Sequence, residues 1–168
     1  MNLVRLEPLS DGVVRLVLAR SGMHNALVPE LLDALLEALR RIADDKTCRA
    51  VVLAADGPAF SIGGDMRRFQ RERRGDLHAY AAVLVGKLNE AILALVDLPQ
   101  PVVAAVHGVV TGGSIGLVLA RHGISVHTAK ISTLGELVED TFLISGTELA
   151  QTASLVHLEQ ELLEALRI

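Results

Sequence analysis

The chain has 168 residues, enough for one domain with a real core or for one domain plus a fragment, and 51% of them are apolar although it holds only three Phe, one Tyr and no Trp. A formal charge of −4 and the absence of an aromatic platform exclude the basic, stacking footprint of a nucleic-acid binder. A single cysteine, Cys48, excludes an internal disulfide and fits a reducing cytoplasm.

The start, Met1 to Glu7, is too polar for a signal peptide, and the apolar stretches are read as falling short of the roughly 20 residues of a membrane span. Residues 3–7 and 13–19 read as strands joined at Ser10-Asp11-Gly12, where glycine accepts a hairpin's positive φ. After a loop holding His24-Asn25-Ala26-Leu27, a helix is expected with Pro29 in its first turn and Leu31, Leu32, Leu35, Leu39 and Ile42 on one buried stripe. Arg49 to Ala54 reads as a buried strand, closed by Asp56-Gly57-Pro58. A glycine turn follows at Ser61 to Asp65. The run from Arg67 to Arg74 allows either a solvated helix or a patch that attracts a ligand's phosphates.

Leu77 to Leu98 reads as a long amphipathic helix ended by Pro99 and Pro101. Then comes an apolar strand from Pro101, a second glycine turn at Gly112-Gly113, and a helix from Gly113 to about His122. Backbone N–H groups at such a turn converge on one point, and the helix dipole adds positive potential, which suits an anion or a developing oxyanion. Gly123 stops that helix, Ile124 to Ile131 and Glu139 to Ile144 read as strands around a turn at Ser132 to Glu136, and Leu155 to Leu166 as a closing helix. Strands alternating with helices predict an α/β layer fold.

Asp65 fits a helix N-cap better than a catalyst, and His107 reads as a satisfied core histidine. His24, His78, His122, His127 and His157 lack metal-ligand spacing, so no metal site is expected. Ser61 and Ser114 have no histidine and carboxylate to pair with, which argues against a serine hydrolase.

Four ordered motifs carry a family likeness: His24-Asn25-Ala26-Leu27, Arg49-Ala50-Val51-Val52-Leu53, Phe60-Ser61-Ile62-Gly63-Gly64-Asp65-Met66, and Pro101 to Gly108 running into Thr111-Gly112-Gly113. With them residues 1–120 resemble the enoyl-CoA hydratase/isomerase, or crotonase, superfamily. The resemblance implies a truncated crotonase-like spiral of ββα units and an acyl-CoA thioester substrate, with coenzyme A entering as part of it and no other cofactor. It implies a homo-oligomer, a trimer or a multiple of one, and no nucleic acid or membrane partner. Carried over by residue, the donors to the thioester oxygen are the N–H groups of Ile62 and Gly113. Contacts to coenzyme A lie near Asn25, Ala26, Leu27, Ser61, Gly63 and Asp65.

Two departures matter. The family's first acid/base glutamate falls on Gly116, which has nothing to titrate. Its second falls, by ungapped counting, on Glu136, and one carboxylate suits double-bond isomerisation better than hydration. The run from His122 to Ile144, through Leu134-Gly135-Glu136, carries a second likeness, however: residues 121–168 resemble the last part of an ACT domain, as in the uridylyltransferase/uridylyl-removing enzyme of nitrogen control. In that setting Glu136 sits in a solvated hairpin turn. The chain thus reads as a chimera, a crotonase-like core (1–120) with a strand-strand-helix tail (121–168) packed as part of one domain. Three functions stay open: an acyl-CoA-binding protein with weak or altered chemistry, a catalytically inactive or self-associating chimera, and a regulatory module working through the tail.

Overall fold

A computed structural model of the chain describes residues 2–72, 75–120, 124–134 and 137–146, the last two ranges as backbone only. Its first sheet has the order β1-β2-β3-β4, with β1 (Val4–Pro8), β2 (Val13–Leu18), β3 (Ala50–Ala55) and β4 (Val102–Ala104). β1 and β2 form the expected antiparallel hairpin, with Leu6 opposite Leu16. Asp11 and Gly12 take φ of 59° and 75° at its tip. β2–β3 and β3–β4 pair in parallel, so each needs a crossover, and helices supply them.

The first crossover is α1 (Pro29–Asp44), with Pro29 in its first turn. The predicted stripe is its core face: Leu31, Leu32, Leu35, Leu39 and Ile42 are all buried. They meet Leu16, Leu18, Leu53 and Phe60 in one aliphatic core. Each such leucine, cut to alanine, would cost about 2–5 kcal/mol.

The second crossover holds α2 (Met66–Glu72) and α3 (Leu77–Asp97). Asp76 caps α3 by accepting the Ala79 N–H at 2.9 Å. α3 corrects the membrane reading, because its 21 residues contain an 18-residue window of mean hydropathy 1.6, long and apolar enough to cross a bilayer by length and composition. Its Leu84, Ala91 and Leu95 enter the core, while Val83, Val85, Leu93 and Val96 are exposed. The expected two-sided pattern is therefore weak. α4 (Ser114–Leu119) is shorter than expected, and residues 121–123 lie outside the described residues.

β5 (Ile124–Leu134) and β6 (Leu137–Gly146) pair antiparallel as a separate two-stranded sheet, with Leu134 opposite Leu137. β5 continues through Leu134, so residues 132–134 of the predicted turn lie in the strand. Glu136 and the helix expected at Leu155 to Leu166 lie outside the described residues.

Candidate functional site

The site begins with two left-handed residues that are not glycine. His24 and Asn25 have φ of 49° and 53°, a region asparagine tolerates better than most side chains. Asn25 is fully buried. Its Oδ1 accepts the Arg20 N–H at 2.8 Å, and its Nδ2 donates to the carbonyls of Asp56 (2.8 Å) and Ala59 (3.0 Å). One side chain thus ties the 20–25 loop to the end of β3 and fixes the backbone that follows.

That backbone flanks the first glycine turn. Ile62 N–H donates to His24 O at 3.2 Å, Leu27 N–H to Gly63 O at 2.7 Å, and Asp65 N–H to Leu27 O at 3.1 Å. On the other edge Ser61 N–H donates to Val109 O (3.2 Å), and Thr111 N–H to Ser61 O (3.1 Å). Phe60 to Asp65 is thereby held between the loop before α1 and the chain leaving β4. Gly63, at φ 73°, reverses the alternation of backbone groups. Leu27 is satisfied by the neighbours of Gly64, so Gly64 directs its own N–H away from Leu27.

The two glycine turns touch. A methyl built on Gly63 would lie 2.7 Å from Thr111 O and 3.3 Å from Gly112 Cα. Hydroxyls stitch the contact: Thr111 Oγ1 donates to Ile62 O at 2.9 Å, while buried Ser114 Oγ lies 2.6 Å from Thr111 O and 3.2 Å from Ser61 O. Among the described residues the N–H groups of Gly64 and Gly113 have no acceptor. The N–H groups of Met66, Gly112 and Ser114 are likewise without an acceptor, so each turn presents unengaged donors, Gly64 on the first and Gly113 at the start of α4. Ile62, the donor expected from sequence, is occupied by His24 O, a correction that follows from the left-handed turn at His24 and Asn25.

The polar side chains at the positions expected near coenzyme A are engaged within the protein. Ser61 is fully buried, and its Oγ donates to Asn25 O at 2.9 Å while accepting the Gly63 N–H at 3.3 Å. Ala26 and Leu27 are buried. Asp65 is the N-cap of α2, accepting the N–H groups of Arg67 and Arg68 at 3.1 Å each. Its other oxygen holds Arg20 at 2.7 Å. Burial pushes the Asp65 pKa up, but the Arg20 hydrogen bond and charge and the two cap bonds outweigh it, and the net direction is down. His107 is a further correction: it is exposed, with Nε2 2.8 Å from Gly57 O, because β4 ends at Ala104 and the chain has left the sheet.

Two neighbouring cavities open beside this scaffold. One, of about 240 Å³, is lined by His24, Ala26, Ile62, Gly64, Met66 and Arg67 among others. The second, of about 390 Å³, shares Met23, Asp65 and Arg67 with it and adds Arg20, Arg68 and Arg71. Arg20 is paired with Asp65, and Arg68 with Glu30 and Glu72. Arg67 and Arg71, one turn apart on α2, have no carboxylate partner among the described residues. Sequence reasoning found this run as one of two open readings. No group of His, Cys, Asp and Glu suited to a metal occurs among the described residues.

The chain belongs to the enoyl-CoA hydratase/isomerase family, whose model matches residues 9–130, somewhat past the boundary expected at 120. It is 31% identical over 111 residues to 4-chlorobenzoyl coenzyme A dehalogenase-2 of an Arthrobacter species, covering 66% of this chain and 40% of that one. An enoyl-CoA hydratase structure from Mycobacterium smegmatis matches 63% of this chain and 40% of its own, at TM-score 0.57 and 40% identity. This α/β fold is therefore a truncated crotonase fold, and the chain spans about half or less of the length of these relatives. Over 55 residues, 33% of the chain, it is also 58% identical to the bifunctional uridylyltransferase/uridylyl-removing enzyme of Aromatoleum aromaticum, of which that stretch is 6%. Two unrelated likenesses thus meet in one chain.

Proposed function

We propose that the chain binds an acyl-CoA thioester and polarises its carbonyl with the N–H groups of Gly64 and Gly113. The supporting observation is that these two donors, one on each of two glycine turns in contact, have no acceptor among the described residues. A thioester oxygen that gains enolate charge between them needs no reorganisation of the donors, and one such donor is worth about 10²–10³ in rate. Arg67 and Arg71 offer charge to the ligand's phosphates at the mouth of the adjoining cavities.

The chemistry on this reading is weak or altered. Gly116 supplies no carboxylate at the family's first acid/base position, and Glu136 is retained as the single acid/base group for proton transfer in an isomerisation. Residues 1–120 serve as the core and 121–168 as a tail of the same domain, in a cytoplasmic oligomer, a trimer or a multiple of one.

A second reading is a chimera that binds or self-associates without turnover. Its support is that the side chain of Ile92 occupies the space a side chain at 116 would need, with Cδ1 2.7 Å from a methyl built there.

The test is a titration with acetoacetyl-CoA, following the ultraviolet band of its enolate. A saturable band that Gly113→Val abolishes supports the first reading, and turnover of an enoyl-CoA lost in Glu136→Gln identifies the base. No band in folded protein overturns the first reading in favour of the second.

A further inference from the structure

Four residues of α3 spaced by four, Tyr80, Leu84, Leu88 and Ile92, form one row along the helix, and this row runs across the glycines of the site. A methyl built on Gly64 would lie 2.9 Å from Phe69 Cε2 and 3.8 Å from Leu84 Cδ2. One built on Gly113 would lie 2.6 Å from Leu88 Cδ2, and one on Gly116 2.7 Å from Ile92 Cδ1. Phe69 is itself held edge-on against Tyr80, with ring centroids 5.1 Å apart. Each built methyl falls in space already filled by the far end of an α3 or α2 side chain, so these side chains lie directly against the glycines. Leu84 is buried, whereas Leu88 and Ile92 are only half-buried, so they wall a rim and not a sealed core.

We infer that Leu88 is the specificity-determining residue for acyl size, its methyl standing where an acyl chain held at Gly113 would extend, so that the site takes short acyl thioesters. The inference rests on the acyl-CoA reading above. A carbonyl oxygen near the Gly64 and Gly113 N–H groups leaves its α- and β-carbons within reach of Leu84, Leu88 and Phe69. Leu84 is fixed by the core. Phe69 is braced by Tyr80. Leu88 packs at the edge of the core, is only half-buried and lies nearest to its glycine, so its side chain sets how far the acyl group can run. Ile92 closes the next turn, beside Gly116.

The experiment uses the full chain and two enolisable probes of different length, acetoacetyl-CoA and β-oxooctanoyl-CoA, each titrated by its enolate band. Wild type is expected to bind the short probe about ten-fold or more tighter, the discrimination typical of a mismatch in an apolar pocket. Leu88→Ala is expected to tighten the long probe by about ten-fold while changing the short one far less. Leu88→Phe, which adds volume without leaving a hole, is expected to weaken both probes. Equal affinity for the two probes in wild type, or parallel changes for both in Leu88→Ala, overturns the size assignment while leaving the site intact. No saturable band with either probe in wild type, with the fold verified by circular dichroism, overturns the acyl-CoA reading and this inference with it.

Discussion

Gly63 and Gly112 touch backbone to backbone, the Gly63 Cα lying 3.7 Å from a methyl built on Gly112. The reverse substitution is worse. Gly63 has φ 73°, and its own methyl would meet Thr111 O at 2.7 Å, a carbonyl held in place by the Ser114 hydroxyl. Gly63→Ala therefore combines left-handed strain with a clash against backbone that cannot move alone. The expected loss is about 1–3 kcal/mol from conformation, with the clash in addition, read as a lower urea midpoint. Gly22, whose methyl would meet nothing within 4 Å, is the control, and Gly22→Ala should leave the midpoint nearly unchanged.

Asp65 does two jobs that substitution can separate. Asn at 65 still caps α2, but it loses the charge that faces Arg20 across 2.7 Å. The Asp65 side chain is 6% exposed and that of Arg20 20% exposed, so Asp65→Asn strands a largely buried guanidinium and is expected to cost about 3 kcal/mol. Asp65→Ala should cost about 1 kcal/mol more, the value of the cap. The folded pKa of Asp65 is lowered. Its contribution is therefore present above the ordinary carboxylate value of 3.8 and is lost as pH falls through the lower folded value. Urea unfolding at pH 7 and at pH 3 should show the gap between wild type and Asp65→Asn narrowing on the acid side.

Much of this was legible in the residues themselves. The β1–β2 hairpin, the α1 stripe from Leu31 to Ile42, the two glycine turns and the Asp65 cap all follow from local pattern, because each depends on near neighbours. The occupied N–H of Ile62 does not. It depends on His24 presenting a carbonyl from a left-handed residue 38 positions away in sequence, and only the fold brings the two together. The side-chain partners of Asn25 and Ser61 were hidden for the same reason: only the fold brings Asp56 and Ala59 beside the one and the Asn25 carbonyl beside the other. The row on α3 was masked by a helix apolar on nearly every side, where periodicity no longer marks the working face.

Gly116 and Ile92 are coupled by space. A glutamate at 116 must displace Ile92 Cδ1, 2.7 Å from the first side-chain carbon. Gly116→Glu alone is expected to destabilise by about 1–3 kcal/mol through overpacking. Ile92→Ala alone should cost up to about 2 kcal/mol, since Ile92 is half-buried. The double variant should recover part of the sum, giving an interaction energy of about 1 kcal/mol or more in the cycle. Strict additivity would show that the two residues do not share the space.

Tyr80 carries a buried hydroxyl with no hydrogen-bond partner. Its ring stands edge-on to Phe69, with an interplanar angle of 82°, and the Arg68 guanidinium carbon lies 5.8 Å from its centroid. These contacts belong to the ring, and phenylalanine would keep them. The hydroxyl alone bears an unpaired desolvation cost of about 1–3 kcal/mol. Tyr80→Phe is thus expected to raise stability by up to that amount, seen as a higher melting temperature. Burial, ahead of the lowering effect of Arg68, pushes the Tyr80 pKa above 10.0, so this lone tyrosine should ionise in folded protein only at higher pH than in urea. Because the folded value is raised, the group opposes folding once pH passes the unfolded value. Wild type should lose stability there relative to Tyr80→Phe, and a Tyr80→Phe variant less stable than wild type at neutral pH would mean that the hydroxyl is paired after all.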